Sequence, residues 1–168
     1  MEEKESIDLQ QFLTFRLGGE SFSIEVSQVK EILDRTEVTK VPQTPGYMLG
    51  VINLRGSVVP VIDLRQRFGM EAVDRTRDSC IIVMELCLEG EQTVIGALAD
   101  AVEEVLDMSS EDIQPPPRLG SRVNVDFIRG VGKRGEEFIM ILDIDKIFSS
   151  EEVELFQSTQ QSPVSDAG

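Results

Sequence analysis

The sequence predicts an all-β chain made of two small barrels, and three observations carry that prediction. First, the stretch from Gly50 to Leu64, Gly-Val-Ile-Asn-Leu-Arg-Gly-Ser-Val-Val-Pro-Val-Ile-Asp-Leu, reads as strand, tight turn and strand. Val and Ile suit a half-buried pleat, while Asn53 and Gly56 accept the positive φ that a hairpin turn demands. Second, apolar and polar residues alternate in short runs elsewhere, punctuated by Gly and Pro. Third, the pattern occurs twice. Val29, Glu31, Leu33, Asp34 and Pro42 recur 73 positions on as Val102, Glu104, Leu106, Asp107 and Pro115. Gly50, Val51, Asp63 and Phe68 recur 80 positions on as Gly130, Val131, Asp143 and Phe148. Two copies of a unit with roughly four or five short strands imply two barrels. A unit of about 70 residues has a marginal core alone, so the two are expected to share apolar surface.

Each element follows from its own residues. Residues 1–9 are charged and polar and are expected to fray. Phe12-Leu-Thr-Phe-Arg-Leu17 is a strand, and Gly18-Gly-Glu20 turns it back into the alternating run Phe22-Ser-Ile-Glu-Val26. From Ser27 to Leu33 two readings compete. Val29, Ile32 and Leu33 fit one turn of helix, whereas the β-branched residues and nearby Gly and Pro favour a short turn and then a strand. Pro45-Gly-Tyr-Met-Leu49 is read as a short helix with Pro in its first turn. After the central hairpin, Asp63 to Phe68 is a helical turn that Gly69 ends, and residues 70–79 are a polar loop. In the second copy Ile81 to Leu88, a turn at Gly90 and Val94 to Leu98 stand in for the first hairpin. Ser149 and Glu152 have the spacing of a capping box, so a short acidic C-terminal helix is expected there. Residues 157–168, with Gln, Ser, Pro and Gly, are expected to be disordered, which leaves 10–156 as the folded domain.

The copies differ at the hairpin tip. Asn53-Leu54-Arg55-Gly56 in the first has become Lys133-Arg134-Gly135 in the second, with Glu136 and Glu137 after it. Arg55 is either a surface arginine on an ordinary hairpin or a rigid fork of donors presented to a partner or to a carboxylate of the chain itself. A turn with a purely structural duty is free to drift in both copies, so the specialised first turn favours a function there.

Composition narrows the classes of function. Hydrophobic residues at 40% and charged residues at 28% are ordinary for a soluble globule. The formal net charge of −15 repels phosphate backbones and anionic membranes, which argues against nucleic acid and direct membrane contact. Met1-Glu-Glu-Lys-Glu-Ser opposes a signal peptide, and the expected location is cytosolic. Cys80 and Cys87, seven residues apart on a strand, would face opposite sides and read as reduced thiols. The absence of histidine removes the commonest general base and the commonest metal ligand together. Asp63 and Asp143 each follow an apolar strand and precede a helical turn, so they read as N-caps rather than catalytic acids. Glu103-Glu104 and Ser110-Glu-Asp112 read as solvated acidic faces rather than cation sites. No reaction, cofactor or metal is read from this chain. With no Trp and one tyrosine, Tyr47, it also lacks the aromatic platform of a module for proline-rich peptides.

One family resemblance fits the whole pattern. The Gly50–Arg65 segment resembles the signature of the CheW family of chemotaxis coupling proteins. So do Phe22-Ser-Ile-Glu-Val-Ser-Gln-Val-Lys-Glu-Ile32, Val41-Pro-x-x-Pro45, Gly96 to Val105, Phe127-Ile-Arg-Gly-Val131 and Ile139-Met-Ile-Leu-Asp143. The likeness runs from about Gln11 to Phe156. It implies two intertwined five-stranded barrels resembling SH3 domains, and a non-catalytic adaptor between chemoreceptor cytoplasmic tips and the histidine kinase CheA. The kinase regulatory domain would pair with the barrel ends, and the protein would be recruited to membrane-associated receptor arrays. An array controlling a behaviour other than swimming is the alternative within the family. The positions matching the receptor-facing groove are Val29, Glu31, Gly50, Arg55, Val102 and Val105. The resemblance assigns no residues to kinase contact. Arg55 is expected to pair with Glu31 and to fix the turn against the first barrel.

Overall fold

The computed structural model describes residues 9–34, 37–42, 44, 46–70, 79–88, 90–115 and 125–148. Most of the expected N-terminal fray and of the polar loop, the Ser149 capping box with its helix and the C-terminal tail lie outside the described residues.

The alternating runs form strands in the order the sequence implies. The first copy supplies β1 (Gln10–Leu17), β2 (Glu20–Glu25), β3 (Val29–Asp34), β4 (Met48–Leu54) and β5 (Ser57–Asp63). The second supplies β6 (Cys80–Leu88), β7 (Glu91–Ala99), β8 (Ala101–Met108), β9 (Ile128–Arg134) and β10 (Glu137–Leu142). Between β2 and β3 the ambiguous stretch resolves as a 3-10 turn, Val26–Gln28, and then a strand. Asp100 alone separates β7 from β8.

The strands assemble into two five-stranded sheets, ordered β8-β1-β2-β10-β9 and β3-β6-β7-β5-β4. Replacing each strand by its repeat mate turns one order into the other. Each barrel therefore mixes the copies: β1 and β2 join β8, β9 and β10, while β6 and β7 join β3, β4 and β5. The joins are parallel at β2–β10 and at β5–β7, and the other neighbours are antiparallel. Backbone bridges then tie each returning segment to β4 or β9, Thr39 to Val51 in one barrel and Gln114 to Val131 in the other. The bridged amides and carbonyls lie 2.8–2.9 Å apart in both.

Alternation along the strands sorts the apolar side chains into three cores. On β6, Ile81 and Val83 enter the interior of the first barrel with Ile52, Val59, Val61 and Leu98. Their neighbours Cys80, Ile82, Met84 and Leu86 point the other way, into a cluster with Phe15, Phe22, Ile24, Ile62 and Phe148 that draws on both sheets. Phe12, Met108 and Ile141 fill the second barrel. The shared cluster is the largest, as a marginal core in each unit demands. At ~1.5–3 kcal/mol for each fully buried large side chain, it is the main reason the two barrels fold as one. The cysteines divide as their spacing implies, Cys80 buried and Cys87 exposed.

Two local expectations need correction. Gly46 and Tyr47 form a turn rather than a helix, and Met48 and Leu49 already belong to β4. Met48 pairs with Ile62 and the Tyr47 carbonyl accepts from the Asp63 amide at 2.7 Å, so this backbone is committed to the ladder. The two aspartate caps are also unequal. Asp63 accepts from the Arg65 amide at 3.0 Å and from the Gln66 side chain at 3.1 Å, capping the helical turn Leu64–Arg67. Such a cap contributes ~1 kcal/mol. Asp143 occupies the same place before the turn Ile144–Ile147, yet its side chain makes no cap bond. The mate of Gln66 is Lys146, whose ammonium stands 3.8 Å from the Asp143 carboxylate, so the side-chain amide that supports Asp63 has no counterpart here.

Candidate functional site

The site is built around the tip of the β4–β5 hairpin. Leu54 pairs with Ser57, so Arg55 and Gly56 are the two loop residues. The positive φ angles fall on these two, +53° at Arg55 and +89° at Gly56, and not on Asn53 as the sequence suggested. Asn53 ends the strand instead, and its side-chain carbonyl accepts from the Gly56 amide at 2.8 Å. Among the described residues Arg55 is the one non-glycine with positive φ. A left-handed conformation costs an ordinary L-residue ~1–2 kcal/mol.

What this geometry achieves is a fixed guanidinium. Arg55 Nη2 donates to Glu31 Oε1 at 2.6 Å. The arginine side chain is 73% exposed and the glutamate 25%. Because β3 and β4 are opposite edges of their sheet, the pair spans the seam where the barrel closes. An ion pair this exposed contributes only ~0.2–1 kcal/mol, which does not outweigh the backbone cost. The second hairpin supplies a control. Its loop residues are Gly135 and Glu136, and Gly135, the mate of Arg55, has φ +64°. Glycine therefore serves the first loop position in the other copy, although the turns are not identical: Gly56 is left-handed at +89°, whereas its mate Glu136 does not have positive φ.

The other candidates divide between the barrels. Gly50 is buried, and a Cβ on it would stand 2.1 Å from the Thr39 carbonyl oxygen. Gly130 meets the same obstacle, 2.9 Å from the Gln114 carbonyl oxygen, so both copies need glycine where the returning segment crosses. Val29 opens β3 and Val102 lies at the start of β8, each partly buried against the shared core. Each is followed by a bulge, before Glu31 in β3 and opposite Leu13 and Phe15 in β8. Val105 is 48% exposed on β8. Its mate, Ile32, is 42% exposed on β3 and is not among the site residues the sequence suggests, although the 73-position offset carries one onto the other. The structure thus brings Glu31 and Arg55 into contact, keeps Val29 and Gly50 in their barrel, and sets Val102 and Val105 on the edge strand of the other. A cleft of about 560 Å³ bounded by Arg16, Pro115, Phe138 and Met140 lies apart from these residues, on the second barrel.

The second barrel closes its seam with more charges. Arg134, one residue before the mate of Arg55, bonds Glu104 at 2.9 Å, Glu103 at 3.2 Å and Glu137 at 2.8 Å. Glu104 is the mate of Glu31. Arg16 reaches Glu103 at 2.7 Å. Burial pushes the Glu103 carboxyl up, but hydrogen bonds and charge from Arg16 and Arg134 outweigh it and hold the group below the usual range. Hydrogen bonding to Glu137 leads the causes that raise Arg134 above its ordinary value. Each seam joins an arginine near a hairpin tip to a glutamate on a bulged edge strand.

Residues 11–152 match the family of the CheW-like domain. The chain belongs to the CheW family. The chemotaxis protein CheW of Klebsiella aerogenes is 36% identical over 153 residues, covering 91% of this chain and 90% of that protein. The CheW of Rhizobium meliloti is 39% identical over 144 residues, 86% of this chain and 90% of its own. The crystal structure of the scaffolding protein TtCheW from Thermoanaerobacter tengcongensis superposes with a TM-score of 0.75 at 33% identity, covering 83% of this chain and 92% of that one. A CheW fold accounts for the duplicated strand order and for the core shared between barrels. Among the described residues no helix is long and apolar enough to cross a membrane.

Proposed function

We propose that this CheW-family chain is a non-catalytic adaptor that joins chemoreceptor cytoplasmic tips to the histidine kinase CheA. It works in the cytoplasm, recruited to receptor arrays, with residues 10–156 acting as one domain. The receptor-facing surface comprises Val29, Glu31, Gly50, Arg55, Val102 and Val105. Val29 and Val102, equivalent in the two repeats, offer apolar anchors to a helical receptor tip, and Gly50 lets the Thr39 segment pack beneath the hairpin. A valine buried at such a contact contributes roughly 1.5 kcal/mol, and a weak adaptor contact needs only a few. The Arg55–Glu31 pair links the receptor-facing hairpin to the barrel frame and so couples receptor engagement to the kinase-facing side.

The observation that carries this reading is Arg55 itself, a strained, exposed arginine where the other copy has glycine. The experiment is co-sedimentation of the purified protein with receptor tips and CheA, wild type beside Arg55→Ala. Bridging by the wild type, with loss of receptor control over the kinase in a folded mutant, supports the adaptor reading. A wild type that binds neither partner sinks it.

A further inference from the structure

Where the two barrels meet, the repeats contribute a symmetric set of aromatic rings. Tyr47 packs on Phe148 with centroids 6.1 Å apart, and Phe68 packs on Phe127 at 5.9 Å. Tyr47 and Phe127 are mates at the 80-position offset, as are Phe68 and Phe148. One residue breaks this symmetry. Arg67, whose mate is the fully buried Ile147, places its guanidinium 5.3 Å from the Tyr47 ring, 5.2 Å from Phe127 and 5.6 Å from Phe148. Its Nη2 donates to the carbonyl of Ile147 at 2.6 Å. A side chain rooted in the first copy is thus held by rings from both copies and bonded to the backbone of its own mate.

Ile147 demonstrates that an aliphatic side chain suits this kind of position. Arg67 is half-buried, and its ring contacts and hydrogen bond offset the partial loss of hydration, so packing is met by either residue and does not by itself call for arginine. Arginine adds direction. A planar guanidinium must lie against the rings and aim an N–H along one line at a carbonyl, whereas an aliphatic side chain packs over a range of offsets. Direction matters because the receptor-facing residues are split: Val29, Glu31, Gly50 and Arg55 belong to one barrel, Val102 and Val105 to the other. A partner spanning both needs them at one spacing.

We propose that Arg67 is a positioning residue that locks the orientation of one barrel against the other and so presets the spacing of β3 and β8. The link to receptor binding rests on the adaptor reading above, but the lock can be tested apart from it. Arg67→Ile gives the first copy the residue of the second, and Arg67→Lys keeps the charge without the planar fork. The full chain has one tyrosine and no tryptophan, so its tyrosine fluorescence and near-ultraviolet dichroism report Tyr47 at this junction. Residual dipolar couplings measure the relative orientation of the sheets.

The expected result is that Arg67→Ile stays folded, alters the Tyr47 signal and no longer fits both sheets to one alignment tensor. Receptor-tip affinity should fall by about fivefold or more, with Arg67→Lys in between. A single tensor equal to that of the wild type in either variant overturns the proposal. If Arg67→Ile fails to fold, Arg67→Lys decides by the same reading; if neither folds, Arg67 is a stability element and the lock falls. A wild type that binds no receptor tip would refute the adaptor reading while the orientation data still judge Arg67.

Discussion

Replacing Arg55 by glycine separates the turn from whatever the arginine is for. Three contributions set its effect on stability. Glycine adopts φ near +53° without penalty, which returns the ~1–2 kcal/mol an L-residue spends there. Loss of the ion pair to Glu31 removes ~0.2–1 kcal/mol, toward the low end because the arginine is largely exposed. The freer unfolded chain costs a further ~0.4–1 kcal/mol. These nearly cancel, and the variant is expected within ~1 kcal/mol of wild type. Urea unfolding followed by far-ultraviolet dichroism checks this, with Arg55→Ala as the companion that keeps the strain and loses the pair. Receptor control of CheA should nevertheless fail in both. A stability loss above ~2 kcal/mol in the glycine variant would make Arg55 structural after all, and full kinase control in it would remove the assigned role. A double-mutant cycle with Glu31→Ala adds the coupling: strictly additive losses of control would mean the pair does not act as a unit.

Other consequences are as direct. Gly50→Ala and Gly130→Ala drive a Cβ against a backbone carbonyl that cannot move without opening the barrel, and each should cost ~3 kcal/mol or more in urea unfolding. A loss below ~1 kcal/mol would mean the crossing segment is loosely held. Ile32→Glu and Val105→Glu alter exposed positions on β3 and β8, so the unfolding midpoint should barely move while receptor-tip binding weakens, by titration, at least tenfold (~1.4 kcal/mol). Unchanged binding would take these edges out of the interface. Glu103 has a folded pKa below its ordinary value of 4.5, so its stabilisation is complete above that value and disappears as pH falls through the lowered one. Glu103→Gln should therefore be less stable than wild type at neutral pH, with the gap closing in acid; a gap that stays constant with pH would rule out ionisation as its source.

Much of the fold is written in local pattern. The strands of both copies follow from alternation, and the 73- and 80-position offsets anticipate the exchange of one sheet order into the other. The same offsets point to Ile32 once Val105 is suspected, because exposure on an edge strand is repeated with the strand. What the sequence concealed depends on contacts between distant segments. Proline at 45 and an apolar Tyr-Met-Leu run look like a helix start, but the Asp63 amide takes the Tyr47 carbonyl and the strand wins. Two aspartates before two helical turns look like equal caps until Lys146 replaces Gln66 beside one of them. The positive φ at Arg55 was hidden for a different reason. Asparagine is the better left-handed residue by preference, yet the register Leu54 to Ser57 places the loop one step further on and leaves Asn53 to hold it by its side chain.

Duplication supplies this molecule with internal controls, and they discriminate between scaffold and purpose. Where both copies keep a residue, as at Gly50 and Gly130, a shared geometric need is sufficient to explain it. Where they diverge at a position that keeps its own conformation, that conformation is not the cause. Gly135 takes the left-handed conformation of Arg55, although the residue after it differs (Gly56 left-handed, Glu136 not), and Ile147 fills the place that Arg67 occupies across the junction. In both pairs the first copy carries a cation where the second carries a residue adequate for folding. Both cations reach across a boundary: Arg55 over the seam of its barrel to Glu31, Arg67 between the barrels to Ile147. An exposed ion pair such as that of Arg55 contributes little to stability whatever the net charge. The two arginines are good directional ties, because a guanidinium fixes angle as well as distance. Arg134 does the same for the other seam through Glu103, Glu104 and Glu137, so both seams are tied by a guanidinium, and what the first copy adds is the tie between the barrels through Arg67.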